Sequence, residues 1–75
     1  MAHVPKMTPV RSSAISEFHY DAATHDLQVR FTSGKLYVAR DVTLERAEAF
    51  AGALSKGRYF NDQIRGNHII DEVME

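Results

Sequence analysis

The sequence predicts an α+β domain in which a three-stranded antiparallel β-meander is followed by two C-terminal helices, in the order β-β-β-α-α. Three observations lead to this prediction: apolar and polar residues alternate from Leu27 to Thr32, a glycine-containing turn follows at Ser33-Gly34, and apolar residues recur at helical spacing after Thr43. A chain of 75 residues is expected to form one domain. We divide it into a flexible arm (1–10), a folded region (11–66) and an acidic tail (67–75).

The first predicted strand runs from Ala14 to Tyr20. Asp21 begins the connection that follows it, and an aspartate at this position can accept hydrogen bonds from nearby backbone amides. A four-residue loop then places Tyr20 opposite Leu27 in the next strand. Ile15 is out of phase with the apolar face, which predicts a β-bulge near the start of the strand.

The second and third predicted strands, Leu27–Thr32 and Lys35–Arg40, form a hairpin. A two-residue turn would need a glycine or asparagine in a position where the sequence has Ser33, so a three-residue loop ending in a left-handed Gly34 fits better. This loop places Val29 opposite Tyr37. We therefore expect Tyr37 to face the core.

Two helices are predicted after the sheet. Thr43 is a suitable N-cap for the first helix, and Gly57 is its expected end. The second helix, Tyr59–Arg65, has Phe60 and Ile64 on one side because they are four residues apart. The apolar stripe of the first helix consists of Leu44, Ala47, Phe50, Ala51 and Leu54.

Composition and charge exclude several classes of protein. Hydrophobic residues make up 44% and charged residues 25% of the chain, which is typical of globular proteins rather than disordered or fibrous ones. The chain has no cysteine, so disulfide frameworks and thiolate zinc sites are excluded, and a reducing cytoplasm is the expected location. No apolar run has the length of a signal peptide core or a membrane span, and a membrane partner is not expected. The net charge of -1 provides no general attraction to nucleic acid, so any basic site must be local.

The titratable residues do not form a recognisable catalytic or metal-binding pattern. Ser12, Ser13 and Asp21 are not accompanied by a histidine at a spacing that would make it their base, and these residue types also suit turns. We expect no enzymatic activity, no catalytic residue, no metal and no cofactor. The four histidines are too scattered for metal-ligand spacing: His3, His19, His25 and His68.

Several short motifs in a fixed order suggest a family. They are Ser12-Ser13-x-Ile15, Tyr20-Asp21, Leu27-x-Val29-x-Phe31-x-x-Gly34-x-x-Tyr37, Val42 and Ser55-x-Gly57-x-Tyr59-Phe60-Asn61-x-x-Ile64-Arg65. On these residues the chain resembles the KTSC domain, a small module named for the C-terminal extension of some lysyl-tRNA synthetases, from about Val10 to Gly66. The resemblance implies a stand-alone bacterial or phage protein that acts as a binding module, with RNA as the suggested ligand. The family's Tyr-x-Tyr is Tyr37-Val38-Ala39 here, and an acidic segment, Ile69-Ile70-Asp71-Glu72-Val73, replaces residues that are usually basic or aromatic.

An RNA-binding surface would combine basic side chains for phosphates with an aromatic side chain for bases. Tyr59 is the best candidate for stacking, although an aromatic residue beside a helix boundary can instead seal the edge of a small core. The complete set of candidates is Arg30, Lys35, Arg40, Lys56, Arg58, Tyr59 and Arg65.

Two alternatives remain open from the sequence. Leu36 and Val38 lie on the sheet face that a single helical layer leaves uncovered, so they are candidates for contact with a protein partner or a second copy of the chain, and the acidic tail also favours this alternative. A small anionic nucleotide could instead bind between Ser12-Ser13, the Gly57 turn and Arg58 or Arg65.

Overall fold

The structure, a computed structural model, describes residues 7–74. These residues form one antiparallel sheet of five strands arranged in chain order, and helical segments pack on one of its faces. The elements are β1 (Thr8–Pro9), β2 (Ile15–Asp21), β3 (Asp26–Phe31), β4 (Leu36–Ala39), α1 (Leu44–Gly52), α2 (Lys56–Tyr59), a π-helix (Phe60–Ile64) and β5 (Ile70–Val73). No helix within the described range is long and apolar enough to cross a membrane.

The α+β class and the two helices are confirmed, but the prediction of three strands is wrong. The predicted meander is the centre of the sheet, and β1 and β5 extend it at its edges. β1 has two residues, one of them a proline, and β5 has two acidic residues between Ile70 and Val73. Neither segment shows period-two alternation, so only their pairing identifies them as strands. The first part of the predicted arm, residues 1–6, lies outside the described residues.

Both hairpin loops have the predicted lengths. The Phe31 amide donates to the Lys35 carbonyl at 2.9 Å, and Gly34 has a φ of 95°. Val29 lies opposite Tyr37, which confirms the register expected from a three-residue loop. In the first hairpin, the Asp21 carboxylate accepts a hydrogen bond from the Ala23 amide at 2.9 Å, and Tyr20 lies opposite Leu27 as predicted.

The predicted bulge is present in β2. The register shifts between Ile15 and Glu17, and the Ser16 hydroxyl donates to the Arg30 carbonyl at 3.3 Å. The Ser12 hydroxyl accepts hydrogen bonds from the amides of Ala14 and Ile15, each at 3.2 Å. These contacts turn Ile15 into the core, where it is fully buried.

Aromatic side chains join the sheet to the helices. The rings of Phe18 and Phe50 meet edge to face at 5.2 Å, and those of Phe31 and Phe60 at 5.4 Å. Such pairs contribute about 0.5–1.5 kcal/mol beyond the burial of their area. Each pair joins a strand residue to a helical residue, so the predicted core face of the sheet is covered by the helices. The remaining buried core residues are Ile15, Leu27, Val29, Ala39, Val42, Ala47 and Ile64.

The first helix is shorter than predicted. It begins after the Thr43 cap, whose hydroxyl accepts from the Arg46 amide, and it ends at Gly52 because Ala53 has extended backbone angles. Of its predicted apolar stripe, only Ala47 and Phe50 are buried, whereas Leu44 and Leu54 are exposed. Leu54 falls in the connection to α2 and not in a helix.

Gly57 does not end a helix, contrary to prediction, but lies buried inside α2. A Cβ atom added to Gly57 would lie 2.9 Å from the Cβ of Ala14, a separation that real Cβ atoms essentially never show. The absence of a side chain therefore lets α2 pack directly on the segment that leads into β2.

Tyr20 links β2 to the connection between β4 and α1, since its hydroxyl donates to the carbonyl of Val42. Burial raises the pKa of this hydroxyl, and the negative charge of Asp21 raises it further. The folded protein therefore holds the phenolic proton more tightly than the unfolded chain does.

We predict that Gly57→Ala lowers the free energy of unfolding by about 1–3 kcal/mol, because the added methyl group overpacks the contact with Ala14. Gly52→Ala is the matched control, since an added Cβ there meets no atom within 4 Å. The control should be neutral or slightly stabilising. Urea unfolding measures both variants, and equal stability of the two would contradict this role of Gly57.

We also predict that Tyr20 makes stability decrease at alkaline pH. A raised pKa gives stabilisation that is complete below the ordinary tyrosine pKa of 10.0 and is lost as pH rises through the folded value. Tyr20→Phe should be less stable than the unmodified protein at neutral pH, and the difference should shrink as Tyr20 ionises. Urea unfolding from neutral to strongly alkaline pH gives the free energy of unfolding of both proteins. If the two free energies change with pH in parallel, the prediction is refuted.

Candidate functional site

Three of the predicted phosphate-binding side chains are already engaged within the protein. Arg30 contacts the Glu17 carboxylate at 3.0 Å and the Gly34 carbonyl at 2.9 Å. Lys56 donates to the Ala53 carbonyl at 3.2 Å. Arg40 forms ion pairs with two carboxylates. These residues therefore do not form one basic surface with Arg58.

Arg40 is held between two carboxylates, Asp26 at 2.9 Å and Asp71 at 3.1 Å. The hydrogen bond with Asp71 raises the pKa of the Arg40 guanidinium, and the charge of Asp26 raises it further. Arg30 follows the core residue Val29 in β3, and Arg40 follows the core residue Ala39 at the end of β4, so both lie on the sheet face away from the helices. A phosphate on that face would approach their paired carboxylates, which opposes binding there.

Two adjacent clefts lie around α2 on the helical side of the molecule. The first, which we call the polar cleft, has a volume of about 400 Å³ and is lined by Ser12, Ser13, Ala14, Ser55, Gly57, Arg58, Asn61 and Asp62. The second, which we call the tyrosine cleft, has a volume of about 230 Å³ and is lined by Ala53, Ser55, Arg58, Tyr59, Asp62 and Gln63. Ser55, Arg58 and Asp62 line both clefts, so the two form one composite surface.

Local structure holds the walls of these clefts in place. The close contact between Gly57 and Ala14 sets the separation of α2 from the residues before β2. Ser55 caps α2, because its hydroxyl accepts from the Arg58 amide at 3.4 Å. The polar cleft thus lies between two segments that approach closely at Gly57 and Ala14, which both line it.

The π-helix determines which side chains reach the clefts. Its wider turn is closed by the Arg65 amide, which donates to the Phe60 carbonyl at 2.8 Å. Phe60 and Ile64 are fully buried at its ends, and the three residues between them, Asn61, Asp62 and Gln63, are exposed. One turn therefore anchors in the core and presents three consecutive polar side chains to the clefts.

Arg46 supports this turn, a role that the sequence analysis did not predict. Its guanidinium donates to the Gln63 carbonyl at 2.8 Å, and the Asn67 side chain donates to the same oxygen at 2.7 Å. The widened hydrogen-bonding pattern of a π-helix could not be predicted from the residue spacing, so the need for these two donors was not visible in the sequence.

Four polar side chains of the polar cleft are available to a ligand. Within residues 7–74, the Ser13 hydroxyl, the Arg58 guanidinium, the Asn61 amide and the Asp62 carboxylate have no hydrogen-bond or ion-pair partner. They offer donors and acceptors, with one positive and one negative charge. This arrangement suits a polar ligand with an anionic group.

Tyr59 lies at the edge of the core and also lines a cleft, so it is placed for both roles considered from the sequence, which are sealing the core and stacking on a base. Its ring packs against Phe50 at 6.3 Å and 58°, at the edge of the core, and the partly exposed side chain also lines the tyrosine cleft. Arg65 lies over the Phe60 ring, with its guanidinium carbon 5.9 Å from the ring centroid. Neither Arg65 nor Lys35 lines a cleft, so Arg58 and Tyr59 are the predicted RNA-binding residues that the structure brings together.

The predicted exposure of Leu36 and Val38 is wrong, since these residues are only 1% and 5% exposed. The reason is β5, which makes β4 an internal strand. Leu36 lies between Arg30 and Val73 in the adjacent strands, so it has neighbours on both sides. These two residues do not form an open apolar patch for a partner.

The three histidines among residues 7–74 do not line the clefts. His68 lies before β5, where its Nδ1 is 3.0 Å from the Arg40 carbonyl oxygen. Among residues 7–74, no group of three or more His, Asp or Glu side chains is placed to hold a metal ion. His3 lies outside the described residues.

A family model and a solved structure identify the same family. A family model described as the KTSC domain matches residues 11–68. A protein from Tsukamurella paurometabola is 39% identical over 59 residues, which cover 79% of this chain and 88% of that protein. A protein from Stutzerimonas stutzeri is 35% identical over 63 residues, which cover 84% and 89%. The crystal structure of a KTSC domain protein from Yersinia pestis matches with a TM-score of 0.87 and 29% identity, covering 92% of this chain and 97% of that one.

We predict that Leu36→Asp destabilises the fold and does not act by disrupting an interface. A carboxylate at this buried position loses the packing of leucine and its own hydration, so the free energy of unfolding should fall by at least about 3 kcal/mol. Leu54→Asp is the control, because Leu54 is fully exposed. It should change stability by less than about 0.5 kcal/mol in urea unfolding. A stable, folded Leu36→Asp variant would contradict the burial of this site.

Proposed function

This chain belongs to the KTSC domain family, and we propose that it is a non-enzymatic module that binds single-stranded RNA in the two clefts around α2. The observation that supports this proposal most directly is that Arg58 lines both clefts, between unpaired polar groups on one side and Tyr59 on the other. A nucleotide has the matching parts, which are an anionic phosphate, a sugar with hydroxyl groups and an aromatic base.

Each part of the nucleotide has a suitable cleft. The polar cleft accommodates the phosphate and ribose, with Arg58 beside the phosphate and the Ser13 hydroxyl and Asn61 amide near the sugar. The tyrosine cleft accommodates the base, which contacts the accessible part of the Tyr59 side chain. A base that enters this cleft must leave its stack, so a single strand is a better ligand than a duplex.

The proposed site is narrower than the basic surface expected from the sequence. Arg30 and Arg40 lie on the other face of the sheet and are bound to carboxylates, which leaves Arg58 as the basic residue that lines the clefts. We therefore propose that binding neutralises one or two phosphates. Its dependence on salt should be shallow, with a slope of about 0.7 per phosphate in a plot of log affinity against log salt concentration.

The family motifs give additional support for RNA as the ligand. Ser12-Ser13 and Ser55-x-Gly57 belong to the pattern that resembles the extension of some lysyl-tRNA synthetases, and these residues line the polar cleft. A small anionic nucleotide would use the same groups, so it is the smallest form of the proposed ligand.

A protein interaction is the second candidate, and β5 is the feature that favours it. Among the described strands, β5 lies at an edge of the sheet and pairs only with β4. Ile69 and Met74 flank it and are 72% and 81% exposed. An extended segment of a partner could add to this edge, whereas Leu36 and Val38 could not take part.

We predict that Arg58→Ala weakens RNA binding about tenfold, because a charge-assisted hydrogen bond to phosphate is lost. Lys35→Ala is the matched control, since it removes the same charge from an exposed loop residue that does not line the clefts. Fluorescence anisotropy with a labelled single-stranded RNA, at salt concentrations between about 50 and 200 mM, measures both variants.

Equal losses of RNA affinity in Arg58→Ala and Lys35→Ala would show that net charge, and not the cleft, controls binding. No binding of RNA by the unmodified protein would refute the proposal, and capture of a protein partner that depends on β5 would then support the second candidate. Urea unfolding should first establish that both variants are as stable as the unmodified protein.

A further inference from the structure

We propose, on the premise that RNA binds in these clefts, that the site prefers guanine and that the Asp62 carboxylate is the residue that selects it. Asp62 lines both clefts and is exposed. Within residues 7–74 its side chain has no hydrogen-bond or ion-pair partner. It therefore stands at the junction of the two clefts with both carboxylate oxygens available.

A carboxylate in an RNA site has an electrostatic cost, because it repels phosphate. At neutral pH it is also an acceptor only, so it can favour RNA solely by accepting hydrogen bonds from a base or a sugar. The carboxylate shares the tyrosine cleft with Tyr59, where the base is placed. Asp62 also lines the polar cleft, but within the tyrosine cleft the part of the ligand that this acceptor meets is the edge of the base.

Guanine is the base whose pairing edge matches a carboxylate. Its N1–H and N2–H groups are adjacent donors that can each reach one carboxylate oxygen. Adenine and cytosine each present one donor beside an acceptor, and uracil presents one donor between two acceptors. Every base except guanine would place a ring nitrogen lone pair or a carbonyl oxygen against one of the two carboxylate oxygens, which is unfavourable.

Gln63 completes the recognition of guanine. Its side chain lines the tyrosine cleft, and its amide NH₂ can donate to the O6 atom beside N1. The Gln63 backbone is fixed because its carbonyl accepts from Arg46 and Asn67. Two consecutive residues of the π-helix thus supply the acceptor and the donor that the guanine edge requires.

The test compares short oligouridines that carry one central guanine, adenine, cytosine or uracil, measured by anisotropy. The unmodified protein should bind the guanine RNA about tenfold more tightly than the other three, since one bidentate pair gives discrimination of this order. Replacement of guanine by inosine, which lacks the N2 amino group, should lose most of this preference. Asp62→Asn should abolish the preference and bind the uridine RNA at least as tightly as before, because a negative charge is removed.

Glu48→Gln is the matched control, since it removes a negative charge from an exposed residue outside both clefts and should retain the preference for guanine. A preference that survives in Asp62→Asn overturns the inference. Equal binding of all four RNAs also overturns the inference. If Arg58→Ala weakens that equal binding, the proposed RNA function remains supported. Failure of every RNA to bind overturns the inference together with the proposed function.

Discussion

The contact between Gly57 and Ala14 is the constraint on which both the core and the clefts depend. It holds α2 against the residues before β2 at a distance that admits no side chain. With α2 in this position, Phe60 and Ile64 at the two ends of the π-helix reach the core and are fully buried. Gly57 and Ala14 also line the polar cleft. One steric requirement thus connects the packing of a small domain with the shape of its candidate site.

The distribution of charged groups distinguishes the sheet face away from the helices from the side that carries the candidate site. On the sheet face away from the helices, Arg30 and Arg40 are paired with Glu17, Asp26 and Asp71. These carboxylates would repel a phosphate, even though ion pairs at the surface are individually weak. On the helical side, the charged groups that line the clefts have no protein partner in the described part of the chain. The net charge of -1 therefore does not reveal that the charged side chains are paired on one face and unpaired at the clefts.

Much of the sheet could be predicted because its signals are local. The alternation from Leu27 to Phe31 and the glycine at position 34 together determine which residues face the helices. β1 and β5 could not be predicted, since neither segment has an alternating pattern and each is a strand only through its pairing. For β5 the partner, β4, is also distant in sequence. Because β5 was not predicted, the predicted sheet has β4 as an edge strand. The exposure predicted for Leu36 and Val38 is therefore also wrong. The clefts were partly predictable, as Ser12, Ser13, Gly57 and Arg58 stood out, but Asp62 and Gln63 depend on the π-helix.

The composition of the clefts favours selectivity over strong general attraction. Arg58 and Asp62 give the lining one positive and one negative charge, so a polyanion gains little from electrostatics alone. Affinity for the proposed RNA ligand must then come from stacking, which any base can make, and from hydrogen bonds to the base edge, which depend on the identity of the base. A protein that coated RNA without regard to sequence would need several unpaired cations along a groove. The pairing of Arg30 and Arg40 with carboxylates removes that possibility on the opposite face. The clefts are therefore more consistent with the proposed recognition of a single nucleotide than with general coating of a strand.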